Sequence, residues 1–97
     1  MALRLVISFT AAPGKGAELA DAFRGRCELV SQEPGCLQFE IFRSAVDPDK
    51  LTLLELWEDE AALEAHGKMN ATREPLPRGL IAPGGGGRED YTYNKTR

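Results

Sequence analysis

The run from Glu33 to His66 reads without interruption as a turn, two strands and a capped helix, and that order restricts the fold more than any other feature of the chain. Pro34-Gly35 turns the backbone. Leu37, Phe39 and Ile41 then alternate with Gln38, Glu40 and Phe42, the period of a strand that fades by Val46. Asp47-Pro48-Asp49-Lys50 follows as a turn, because proline presets one backbone angle and the aspartates can bond nearby amides. Leu51 to Trp57 is apolar on both faces, with Leu51, Leu53, Glu55 and Trp57 on one and Leu54 and Leu56 on the other. Such a strand belongs in the middle of a sheet. Asp59 suits an N-cap, acidic residues fill the first turn, and Gly67 is the expected stop for a short helix carrying Ala62, Leu63 and His66 on one face.

On the N-terminal side, Leu3, Leu5, Ile7 and Phe9 alternate with Arg4, Val6, Ser8 and Thr10 as a first strand. Pro13 to Gly16 breaks it, and Leu19, Phe23, Cys27 and Val30, supported by Ala20, make one helical stripe that must cover a sheet. Gly25 inside that helix costs up to ~1 kcal/mol relative to alanine and invites a close-packing explanation. Beyond His66 the pattern dissolves over about residues 68–87, where Pro75, Pro77, Pro83 and the Gly84 to Gly87 run forbid a long helix. A helical turn around Asn70 to Glu74 stays open. The segment is expected to be a mobile connector, with a lid as the alternative. Tyr91 and Tyr93 share one face of a final strand, Glu89 to Lys95. The sum is one α+β domain over residues 1–97, a ferredoxin-like βαββαβ arrangement with an antiparallel sheet and both helices on one face. The other sheet face is then bare. A 97-residue domain leaves much of its surface unburied, so a homo-oligomer is expected.

Net charge is −3 with Lys and Arg scattered, which gives no basic footprint for nucleic acid. The longest apolar runs, such as Leu5-Val6-Ile7, are too short to span a bilayer, and the absence of a signal-peptide layout makes a cytoplasmic location the expectation. Cys27 and Cys36 lack a CxxC spacing and only one histidine is present, so no zinc set is expected. Gly84 to Arg88 lacks the ending of a P-loop, and no dinucleotide-binding glycine motif follows a strand.

Glu33-Pro34-Gly35-Cys36-Leu37, Leu54-Glu55-Leu56-Trp57-Glu58-Asp59-Glu60 and Leu63-Glu64-Ala65-His66 together resemble the antibiotic biosynthesis monooxygenase family. The match is good over roughly residues 3–66 and topological beyond. The resemblance implies a homodimeric α/β barrel, made by packing two bare sheet faces together, and cofactor-independent oxidation of a small aromatic quinol, hydroquinone or polyketide-type phenol by dioxygen. It also places Trp57 beside the pocket and gives His66 a spacing like that of the quinol-oxidising branch. An indole offers a stacking surface and one N–H for a developing oxyanion. An imidazole can take a phenolic proton. Glu55 shares a face with Trp57, so it is a partly desolvated base or else the partner of Arg43 or Arg73. His66, Trp57 and Glu55 are therefore the catalytic candidates. Phe39, Phe42 and Tyr91 are the expected pocket lining, and Asn70 and Arg73, four and seven residues after His66, are candidates to hold a polar group of the substrate.

Several positions depart from the family. Where anthrone-oxidising members have an asparagine and a tyrosine around the tryptophan, this chain has Leu53 and Leu63. The second histidine of the quinol-oxidising branch is replaced by Ala71, and Leu76 stands where the haem-degrading branch needs its axial histidine. Two other functions fit the same fold, a non-enzymatic carrier of a small apolar ligand and an isomerase.

Overall fold

A computed structural model describes residues 1–93. Six elements follow one another: β1 (Leu3–Ala11), α1 (Gly16–Val30), β2 (Cys36–Arg43), β3 (Lys50–Trp57), α2 (Glu60–Asn70) and β4 (Ile81–Thr92). The strands form one antiparallel sheet in the order β2-β3-β1-β4. The arrangement is the expected ferredoxin-like α+β fold, with the doubly apolar β3 in the interior of the sheet.

Register decides which side chains share a face. Leu3, Leu5, Ile7 and Phe9 of β1 stand opposite Trp57, Glu55, Leu53 and Leu51 of β3, and Phe39 and Ile41 of β2 lie beside Glu55 and Leu53. Both helices cover this face. Phe23 of α1 packs on Phe9 with ring centroids 5.1 Å apart, while His66 of α2 packs on Trp57 and Phe39. Leu5, Leu19, Val30 and Trp57 form the most deeply buried part of the core. The opposite face carries Arg4, Val6, Leu54, Leu56, Phe42 and Tyr91, and among the described residues no element covers it.

Local chemistry fixes the helix starts. Asp59 caps α2 by accepting a 2.8 Å hydrogen bond from the Ala62 amide, as its position implies. Lys15 offers α1 no side-chain cap, and Asp49 from the β2–β3 loop substitutes for it, accepting from the amides of Gly14 and Gly16 at 2.9 and 3.0 Å. Only glycine fits at position 16, because a Cβ there would sit 1.9 Å from the Pro48 carbonyl oxygen. A bulge between Cys36 and Gln38 interrupts the alternation at the start of β2 and leaves Leu37 exposed, where simple alternation puts it with Phe39.

Three expectations change. Helix α2 runs through Gly67 to Asn70, since Ala71, not Gly67, ends it. Gly25 meets nothing within 4 Å of a built Cβ, so no close packing explains it. The third change is the largest. Residues 81–87, expected as connector, belong to β4, which begins at Ile81 rather than Glu89 and ends at Thr92; residues 94 and 95 of the expected strand lie outside the described residues. The ladder is made by backbone groups, so Gly86 and Gly87 pair with Phe9 and Ser8 without side chains of their own. Pro83, which has no N–H to give, falls in the bulge where β4 advances from Ile81 to Gly86 while β1 passes from Ala11 to Phe9. Gly84 there has φ of +71°, and a Cβ on Gly85 would lie 2.6 Å from the Thr10 carbonyl oxygen.

Candidate functional site

The polar groups buried inside this domain are concentrated where α2 crosses β3. Glu55 and His66 are 4% and 8% exposed, and both touch Trp57, which is fully buried. The indole N–H donates a 2.9 Å hydrogen bond to Glu55 Oε1, and the imidazole of His66 lies on the indole with centroids 4.8 Å apart and planes 30° apart. Phe39 closes a second side of the imidazole at 5.7 Å. Burial raises the pKa of Glu55 above the ordinary carboxylate range; the Trp57 hydrogen bond, the neighbouring His66 and the Arg88 charge oppose that rise, and Asp90 adds to it.

His66 is held from its other edge by a residue that the sequence did not single out. Glu33, in the turn after α1, brings Oε1 to 3.0 Å from His66 Nδ1 and Oε2 to 2.7 Å from Arg73 NH1, all three side chains being nearly buried. The Arg73 N–H is not aligned for a full hydrogen bond, so that contact is mainly charge on charge. No local pattern could have exposed this pairing, since 33 residues separate the partners His66 and Glu33.

Beside this cluster an open cleft of about 410 Å³ lies between α2 and the strands β1 and β4, lined by Leu3, Leu5, Glu60, Leu63, Glu64 and Asp90. Its floor adjoins the cluster directly, because Leu3 and Leu5 are the cross-strand neighbours of Trp57 and Glu55. The volume is within the range of small-ligand sites.

Of the residues expected to act together, His66, Trp57, Glu55 and Phe39 meet on the helix-covered face. Arg73 reaches the cluster through Glu33 and pairs with it instead of with Glu55. Arg43, the other expected partner of Glu55, instead donates to the Pro48 carbonyl. Asn70 is exposed and accepts a hydrogen bond from Arg26, away from the cluster. Phe42 and Tyr91 project from the opposite face, where Phe42 pairs with Thr52 and Tyr91 with Arg4, and the sheet separates them from Trp57. Their displacement has a simple cause: the cluster lies within one chain, between sheet and helices, and not between two sheets. The indole N–H, expected to serve an oxyanion, is already engaged by Glu55. At the departures from the family pattern, Leu53 is core, Leu63 lines the cleft, and Leu76 packs against the core. Among the described residues no group of three His, Cys, Asp or Glu side chains converges as metal ligands.

The sequence profile of the family described as antibiotic biosynthesis monooxygenase matches residues 2–74. The chain belongs to this family. Among solved structures, PA3566 from Pseudomonas aeruginosa is 26% identical with a TM-score of 0.79, covering 97% of this chain and 95% of that one. A putative antibiotic biosynthesis monooxygenase from Nitrosomonas europaea is 22% identical with a TM-score of 0.77, over 97% and 89% of the two chains. A mutant of SnoaB, a cofactor-independent oxygenase from Streptomyces nogalater, shares the fold at 18% identity and a TM-score of 0.72, over 98% and 95%. A search of curated proteins finds no match. Family membership supports a function of the general antibiotic biosynthesis monooxygenase type. No helix among the described residues is long and apolar enough to cross a membrane.

Proposed function

We propose that this protein is a homodimeric monooxygenase that oxidises a small electron-rich hydroquinone or polyketide-type phenol with dioxygen, without a bound cofactor. The observation that carries the reading is the buried sequence of contacts Glu33–His66–Trp57–Glu55 beside an apolar-floored cleft. Proton-transfer groups held dry in a cluster are costly to a fold and are characteristic of functional sites.

In this mechanism the substrate enters the cleft as a neutral phenol, with its ring over Leu3, Leu5 and Leu63. His66 takes the phenolic proton, and the resulting anion is electron-rich enough to reduce dioxygen. One oxygen atom forms a new C–O bond and the other leaves as water, so a hydroquinone plus O₂ gives a hydroxyquinone plus H₂O with the substrate as the sole reductant. Glu55, which holds its proton to higher pH than an ordinary carboxylate, is the second proton-carrying group. Trp57 anchors both by stacking and by its N–H. Pairing of the uncovered sheet faces, including Val6, Leu54, Leu56, Phe42 and Tyr91, supplies the homodimer.

The test is oxygen uptake by purified protein with a panel of hydroquinones and anthrone-type phenols, autoxidation subtracted. Protein-dependent uptake that His66→Ala reduces by about 100-fold or more agrees with loss of a general base. Turnover that persists without oxygen makes the protein an isomerase. Tight binding with no turnover makes it a carrier.

A further inference from the structure

We infer that Glu33 is a positioning residue that locks His66 in one tautomer and thereby decides which imidazole nitrogen takes the proton. Its catalytic consequence rests on the oxidation proposed above, whereas its effect on the imidazole does not.

The backbone of Glu33 is fixed on both sides, its N–H donating to the Val30 carbonyl at 2.9 Å and its own carbonyl accepting from the Cys36 amide at 3.1 Å. The side chain is 9% exposed and uses both oxygens, one on His66 Nδ1 and one on Arg73. An ionised carboxylate can only accept hydrogen bonds, so the hydrogen between Glu33 and a neutral His66 resides on Nδ1. Nε2 is then left with its lone pair, and no described residue hydrogen-bonds to it. The ring cannot turn over freely, because Trp57 and Phe39 pack against it. Glu33 thus makes the two nitrogens unequal: Nδ1 is the anchor and Nε2 the proton acceptor.

Arg73 completes the device. Its guanidinium is a permanent cation 2.7 Å from Glu33 Oε2, and it fixes that oxygen so that Oε1 stays directed at His66 Nδ1. The imidazolium formed by proton uptake at Nε2 faces a carboxylate 3.0 Å away. The charged and titratable groups around His66 are accordingly Glu33 from the turn after α1, Arg73 from the loop after α2, and Glu55 from β3. Seven residues separate His66 from Arg73, so the helical register of α2 and the turn beyond it carry Arg73 to the same carboxylate.

His66 is the only histidine in the chain, so the imidazole ¹⁵N spectrum reports this one ring. For the neutral ring, a protonated Nδ1 and a bare Nε2 are expected in the wild type. Glu33→Gln presents either an amide oxygen or an amide N–H to the ring, so the tautomers mix. With a hydroquinone substrate kcat then falls on the order of 100-fold through lost orientation, with KM little changed, and Glu33→Asp recovers part of the loss. A wild-type ring protonated on Nε2 overturns the inference, as does a Glu33→Gln protein with wild-type tautomer and wild-type kcat. If Glu33→Gln does not fold, the wild-type spectrum decides alone. A locked tautomer that Glu33→Gln releases, in a protein that oxidises none of the panel, supports the role of Glu33 and removes the oxidation.

Discussion

On the helix-covered face of the sheet Leu5, Leu53, Glu55 and Trp57 are almost wholly buried, whereas on the other face, built from the same strands, Phe42 and Tyr91 remain 45% and 50% exposed. The first face holds proton-carrying groups that are already desolvated within one chain. The second mixes apolar side chains with Arg4, Glu40 and Thr52 and is left open among the described residues. Burial of Glu55 and His66 is a cost that one chain sustains alone, so the cluster is complete within a single chain. Burial of Val6, Leu54, Phe42 and Tyr91 would come from a second copy in the proposed homodimer. On the proposed function the difference separates chemistry from assembly, and substitutions on the two faces should separate in the same way.

The largest effect is expected at Trp57. Trp57→Ala empties the centre of the core and should cost about 3–5 kcal/mol in denaturant titration, while Phe42→Ala on the open face should change monomer stability by about 0.5 kcal/mol or less. Equal losses would erase the distinction. Leu54→Lys comes next, placing an unpaired charge where two sheets meet in the proposed homodimer. Its expected cost of about 3–5 kcal/mol to pairing, at about 1.4 kcal/mol per decade, is a weakening on the order of 100-fold or more in the dimer constant. Sedimentation should then show a folded monomer. A dimer unaffected by Leu54→Lys would move the pairing surface elsewhere.

Glu55 gives a subtler contrast. Its folded pKa lies above the ordinary carboxylate value, so the folded state keeps the proton over a window in which the unfolded chain has released it. Stability from this group is complete below that window and is lost as pH rises through the folded value. Glu55→Gln retains an acceptor for the indole N–H and removes the ionisation, so this part of the pH dependence should disappear and the variant should gain stability relative to wild type toward neutral pH. An unchanged pH profile would mean that Glu55 is not desolvated. The smallest effect is a control away from both faces: Gly25→Ala, into open space on the outer surface of α1, should stabilise by up to about 1 kcal/mol and leave both pairing and chemistry unaltered.

The sequence was most informative where periodicity and burial coincide. Leu3 to Phe9, Leu19 to Val30 and Leu51 to Trp57 declare their elements because each buries one or both faces in a regular rhythm. The first half of β4 is silent for the opposite reason: it is an edge strand whose ladder needs only backbone, so Gly86 and Gly87 extend it ahead of the expected Glu89 start without any side-chain pattern. His66 and Trp57 stand out as single residues of distinctive chemistry. Glu33 does not, because its importance arises only when α2 folds back over the turn after α1. Phe42 already alternated away from Phe39 in the sequence, and its separation from Trp57 follows from that period once the cluster is known to lie on the helix side.

The most direct test of where the ligand goes uses Trp57, the only tryptophan, as its own reporter. Titration with 1,4-naphthoquinone, a ring of the proposed product class and a quencher of indole fluorescence, should give saturable quenching that survives in Tyr91→Ala. Quenching that fails to saturate, or that is lost in Tyr91→Ala, would place the ligand away from Trp57 or on the open face and contradict a site between the sheet and its helices.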